Sequence, residues 1–234
     1  MAVASIFPAV LLLAACISVT CTQPPSDCKE ESENNLVCHL SSINSRLERT
    51  DFSVIPNTTV GLTVLCSQQE AGQLQDSAFS ALPQLQQLTI RGCVLRELPA
   101  RVFNGLRNLR DLSLQTHTTT VQPGTFSGLG NLRSLDLSQN SLGGLPAGEL
   151  CGLGSLRRLN LSHNALTSLA SLGAACPGGS GLVTLDLSHN QLTAVEAWPW
   201  RGVQELSLAH NYIRFIGDGV FANSSLQVCK YRYK

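Results

Sequence analysis

The chain has 234 residues, 43% of them hydrophobic and 14% charged, and its 16 basic and 16 acidic residues cancel to a formal net charge of zero. A neutral chain lacks the basic footprint of a general nucleic-acid or anionic-membrane binder, and a composition this apolar excludes a largely disordered one. Nine cysteines point to an oxidising compartment.

Residues 1–20 read as an export signal. Residues 6–19 form an apolar run broken by Pro8 and followed by small polar residues, too short for the roughly 20 apolar residues of a transmembrane helix. Leu13-Ala14-Ala15-Cys16 also matches a bacterial lipobox, but three N-x-S/T sequons oppose that alternative. Later in the chain no segment is apolar and long enough to span a bilayer. Residues 21–60 are expected to form an N-terminal cap region, with Cys28 and Cys38 bracketing a short polar loop as a disulfide pair. Cys16 leaves with the signal and Cys21 stays unassigned. Asn57, in Asn57-Thr58-Thr59, is the first glycosylation sequon.

From residue 61 a phrase repeats. Its clearest copies are LRSLDLSQNSL (132–142), LRRLNLSHNAL (156–166) and LVTLDLSHNQL (182–192). This is the leucine-rich-repeat phrase L-x-x-L-x-L-x-x-N-x-L, one coil of a solenoid per copy. About seven repeats fill residues 61–225, with starts near Gly61, Leu85, Leu109, Leu132, Leu156, Leu182 and Val203. The fold expected is an α/β repeat solenoid, a horseshoe with a parallel β-sheet on its concave face and an irregular or short helical convex side. In the first coil Val64 and Cys66 stand where leucines are usual, and Cys66 reads as a buried thiol. Residues 226–234 open an eighth repeat that stops at once, which reads as a truncated tail without a cap.

Within each repeat the other positions acquire roles. Phe79, Phe103, Phe126, Leu150 and Phe221 occupy the convex core slot. Asn140, Asn164, Asn190 and Asn211 fill the asparagine position, with Cys93 and His117 in that place in repeats two and three; their task is to satisfy backbone groups in the turn. The fifth repeat is extended around residues 176–181, and Cys151 with Cys176 falls at nearly equivalent convex positions of adjacent coils, spaced for a disulfide. Trp198 and Trp200 flank Pro199 in the shortened sixth repeat, either filling a gap or anchoring a partner.

No catalytic constellation stands out, so the chain is expected not to be an enzyme, and no cofactor or metal set is indicated. Alternation along the strands aims the residues between the leucines at the concave face. Arg91, Asp111, Asp136, Arg158, Asp186 and Glu205 are its charged members, and Ser138, Ser162 and Ser188 are expected to share it. This surface is polar, mildly acidic and without aromatic anchors. Asn160, a second sequon, lies on the same face, where a glycan would push a ligand toward the flanks; Asn223 is a third, on a late loop. His163, His189 and His210 recur at one position in three coils and form a ladder. It suggests a pH-sensing or metal-binding role, against the plainer reading that S-H-N is a favoured turn phrase.

Several stretches together carry a family resemblance: NTTVGLTVLCS (57–67), FSALPQLQQLTIRGCVLRELPARVFNGLRNLRDLSLQTH (79–117) and LCGLGSLRRLNLSHN (150–164). Residues 38–210 resemble the N-terminal ectodomain of Toll-type receptors, closer to the invertebrate branch, and that family places a cysteine pair where GELCGL and AACPGG stand here. The resemblance implies an extracellular recognition module for a protein ligand, of the cystine-knot cytokine kind, or for a full-length receptor, with dimerisation on binding. No nucleic-acid ligand is expected. The alternative, from another class, is a secreted leucine-rich-repeat matrix or adhesion protein.

Overall fold

The computed structural model describes residues 27–41, 43, 52–67, 70–172 and 181–231. Residues 1–20, expected to form the export signal and containing Cys16, lie outside the described residues, as does Cys21.

Ten strands form one sheet whose spatial order is the chain order. They are β1 (Cys28–Ser32), β2 (Asn35–Leu40), β3 (Gly61–Cys66), β4 (Gln87–Arg91) and β5 (Asp111–Gln115). The later coils supply β6 (Ser134–Asp136), β7 (Arg158–Asn160), β8 (Thr184–Asp186), β9 (Glu205–Ser207) and β10 (Val228–Lys230). β1 and β2 pair antiparallel, and every later pair is parallel. Parallel neighbours need a crossover connection, and here each crossover is the convex remainder of one coil. Among the described residues that side carries only two short 3-10 turns, Phe52–Val54 and Leu169–Leu172, and three minor two-stranded pairings. The convex side is therefore irregular rather than helical.

Strand register turns the repeat phrase into columns. Leu36, Leu62, Leu88, Leu112, Leu135, Leu159, Leu185 and Leu206 stand opposite one another from β2 to β9, all buried, and Cys229 ends the row on β10. The first coil departs from the sequence expectation by two residues, one full strand period. Its inward residues are Leu62 and Val64, paired with Leu88 and Ile90, and Cys66 lies at the strand end. A period of two leaves no choice: once Val64 points inward, Leu62 does too.

Behind the sheet an aromatic stack binds the N-terminal coils. Phe79, Phe103 and Phe126 stack at 6.0 Å between ring centroids, and Phe52 from the cap region extends the stack onto Phe79 at 4.6 Å. Leu150 continues the buried layer where the phenylalanines stop. In the shortened sixth coil Trp200 is buried, and Trp198 meets Trp200 and Phe221 edge-on at 5.3 and 5.2 Å. The tryptophan pair thus fills the space that missing convex residues leave.

The cysteines close the N-terminal end. Cys28 and Cys38 are register partners across the β1–β2 hairpin and are disulfide-bonded. Cys66 is not a thiol: it is bonded to Cys93, across two adjacent coils. Gly92 makes this approach possible. It sits at φ 71°, and a Cβ there would stand 2.7 Å from the Cys66 carbonyl oxygen. Gly92→Ala is expected to cost about 1–2 kcal/mol, from the left-handed backbone penalty and the clash together. Urea unfolding of the variant checks this, and an unchanged midpoint would mean that the turn relaxes freely. Cys151 is disulfide-bonded as well; Cys176, its expected partner, lies outside the described residues.

The C-terminal coils expose Tyr212, Phe215, Val228 and Tyr231. Cys229, in the leucine row yet exposed, is a free cysteine whose thiol pKa desolvation raises. Among the described residues no helix is long and apolar enough to cross a membrane.

Candidate ligand-binding face

Hydrogen bonds made by asparagine hold the sheet in shape. In Asn164 the amide oxygen accepts the Leu142 N–H at 3.0 Å, while the amide nitrogen donates to the carbonyls of Leu137, Leu161 and Ser162 at 2.9, 3.1 and 3.2 Å. Asn190 and Asn211 repeat this pattern one and two coils on. Asn140 differs, because its oxygen accepts two N–H groups, those of Thr116 and Thr118. The difference corrects the third repeat. His117 is exposed, at φ 52°, in the turn position held by Gln139 and His163 in later coils. Thr118 takes the asparagine place, buried, with its hydroxyl on that of Thr116 at 2.8 Å. An extra residue after Leu114 moves the slot by one. Sequence reading also missed Glu149, whose two carboxylate oxygens accept the N–H groups of Gly124 and Phe126 at 2.8 and 2.7 Å, clamping one convex turn to the next.

The concave face then follows from register. Asp111, Ser134, Arg158, Thr184 and Glu205 make one outward row; Ser113, Asp136, Asn160, Asp186, Ser207 and Lys230 make the next. Arg91 stands beside Gln115 at the far end of β4. All six charged residues expected on this face are therefore on it. The serines are not. Ser138, Ser162 and Ser188 are buried, at 4%, 7% and 8% exposure. In these coils the strand is only three residues long, and the side chain of Asp136, Asn160 or Asp186 accepts the serine N–H at 2.9–3.0 Å. Each such bond turns the chain out of the sheet one residue earlier than simple alternation implies.

The internal bonds decide which charges remain for a partner. Asp136 and Asp186 are engaged with their own turns. Arg158 reaches over Ser134 to Asp111 at 3.9 Å, both side chains open to solvent, an exposed pair worth at most about 1 kcal/mol. No side-chain hydrogen bond or ion pair engages Arg91, Glu205 or Lys230 among the described residues. Between β8 and β10 the face is hollowed, with a cavity of about 320 Å³ lined by Thr184, Asp186, Glu205, Ser207, Val228 and Lys230. Of the sequons, Asn57 and Asn223 are exposed on turns, while Asn160 is half-buried on β7. The three ladder histidines are exposed, at φ 55–56°, with centroids 4.0 and 4.1 Å apart and ring planes 9° and 17° from parallel.

Two family models match, leucine rich repeat over residues 115–166 and leucine rich repeats (2 copies) over residues 154–200. Over 189 residues the chain is 35% identical to Toll-like receptor 7 of Drosophila melanogaster, covering 71% of this chain and 13% of the receptor. The chain is a leucine-rich-repeat protein related to the Toll-like receptors. This leucine-rich-repeat chain is also 27% identical over 173 residues to keratocan of Danio rerio, covering 62% of the chain and 49% of keratocan. Among solved structures, the leucine-rich repeat domain of APL1B superposes with a TM-score of 0.56 at 27% identity, covering 70% of this chain and 47% of that one. A TLR13–ssRNA13 complex superposes at 0.65 over 84% of this chain and 32% of that one; at 24% identity this likeness concerns the fold alone. The repeats thus span less than half the length of each of these relatives.

Proposed function

We propose that this chain is an extracellular ligand-recognition module of the Toll-like receptor type that binds a protein ligand or a full-length receptor and catalyses nothing. The observation that supports this reading is the uneven commitment of charge on the concave face. The middle strands spend Asp136, Asn160 and Asp186 on their own turns, so the centre is stiff and self-satisfied. Arg91 lies toward the N-terminal end, and Glu205 and Lys230 rim the C-terminal hollow. Charge complementarity at two ends of a rigid curved sheet suits a protein that lies along it and sets specificity and on-rate more than raw affinity. A glycan on Asn160 would stand between the two ends, consistent with contact at the flanks.

Biolayer interferometry of the purified chain against a panel of cystine-knot cytokines tests this. Saturable binding is expected, falling about tenfold or more when Arg91→Glu and Glu205→Arg are combined, a loss of at least about 1.4 kcal/mol. Binding that ignores both substitutions would move the contact off the concave face. The likeness to keratocan favours a second reading, a matrix or adhesion protein; saturable binding to collagen fibrils with no cytokine bound would select it.

A further inference from the structure

We propose that His163, His189 and His210 form a binding site for one borderline-soft divalent metal ion, Zn²⁺ or Cu²⁺, held by two imidazoles at a time, with His189 common to both possible pairs. The backbone presents the rings in register. Each histidine sits in the left-handed region, and the N–H groups of His163 and His189 donate to the carbonyls of Ser188 and Ala209 in the next coil at 3.0 and 2.9 Å. The residue after each is the asparagine whose amide locks the turn. The three Cα positions are therefore pinned, and only the exposed side chains are free to turn.

Ring spacing suits a two-imidazole site. Metal–nitrogen bonds of about 2.0–2.1 Å require the two donor atoms to lie within about 4.2 Å of each other. Adjacent ring centroids stand 4.0 and 4.1 Å apart with the planes nearly parallel, so the in-plane nitrogen lone pairs run side by side, and each exposed ring must swing by about 45–55° to aim a nitrogen at one shared ion. The outer rings, His163 and His210, stand about twice as far apart, outside that reach. Among the described residues no group of three or more such ligands converges on one point, which limits the protein to two donors and leaves water to complete the shell. Imidazole donors without carboxylates select Zn²⁺ or Cu²⁺ over Mg²⁺ or Ca²⁺.

The same turn position shows where the site ends. Gln139 holds it in the preceding coil at φ 57°, and His117 in the coil before that. Glutamine's neutral amide is a poor ligand for these ions, so His117 is cut off from the ladder. Gln139 also shows that glutamine is accepted in this backbone conformation, which supplies a substitution that keeps the fold.

The test is calorimetric titration of Zn²⁺ and Cu²⁺ into the full chain carrying Cys229→Ser, which removes the free thiol found among the described residues, and no histidine tag. One ion per chain is expected. His163→Gln or His210→Gln each removes one of two equivalent pairs and should weaken binding only about twofold, whereas His189→Gln removes both and should weaken it more than about tenfold. The double variant His163→Gln/His210→Gln should match His189→Gln, and His117→Gln should change nothing. Equal losses for the three single ladder variants, no loss with His189→Gln, or no saturable binding by the parent chain would each overturn the proposal. Circular dichroism of every variant confirms that the solenoid is intact.

Discussion

Asn164→Ala is expected to destabilise the solenoid by about 1–3 kcal/mol, although the residue lies in a turn. Its amide makes four hydrogen bonds to main-chain groups and is 8% exposed. The four are not equal. The Leu137 carbonyl also accepts from Asn140, and the Leu161 carbonyl also accepts from Asn190, so each keeps a partner in the variant. The Ser162 carbonyl likewise keeps the Gln139 N–H at 3.1 Å, so only the Leu142 N–H loses its partner, and a buried group left unpaired costs about 1–3 kcal/mol. Urea unfolding measures the total, and hydrogen exchange at the Leu142 amide, expected to accelerate most, measures the local effect. A loss below about 1 kcal/mol would mean that water enters the turn and replaces the amide. The adjacent His163→Gln is the control, since that ring is exposed and the preceding coil carries glutamine there.

Removing the Cys66–Cys93 disulfide, by Cys66→Ala with Cys93→Ala, is expected to cost about 3.5 kcal/mol on the chain-entropy model for a loop of this length. The bond spans 27 residues, against 10 for Cys28–Cys38, for which the same relation gives about 2.7 kcal/mol. The loss should be local. Each coil of a solenoid touches only its neighbours, so exchange protection should fall across β3 and β4 and persist across β8 and β9. Thiol titration of the unmodified chain, unfolded without reductant, should find neither cysteine reactive. Two reactive thiols assigned to Cys66 and Cys93 by peptide mapping would refute the pairing.

These two groups also show how differently parts of the molecule can be read from sequence. Asn164 announces its task, because the phrase L-x-x-L-x-L-x-x-N recurs at nearly constant spacing and one residue type keeps the same slot. The phenylalanine stack and the histidine ladder are legible for the same reason: equal spacing along the chain becomes vertical stacking in space. Cys66 is not legible in this way. Its pairing depends on a turn at Gly92 that brings two coils together one place out of phase with the leucine rows. Thr118 in the asparagine slot depends on one extra residue, which a pattern of identities absorbs as a mismatch.

The candidate face divides along the same line. Alternation alone assigns Arg91, Asp111, Asp136, Arg158, Asp186 and Glu205 to the concave sheet, since a strand period of two admits no other side once the leucines point inward. Which of those charges is available to a partner is a matter of contacts between coils and within turns: Arg158 with Asp111, Asp136 and Asp186 with the serine N–H groups two residues on. The burial of Ser138, Ser162 and Ser188 has the same origin. Periodicity by itself determined the solenoid, its inward rows and its ladders, because those are properties of repetition along one chain. The tertiary structure decided the disulfide across coils, the shifted turn and the charges left open, because each rests on contacts of a few ångströms, between coils or within a turn, that the repeat phrase does not specify.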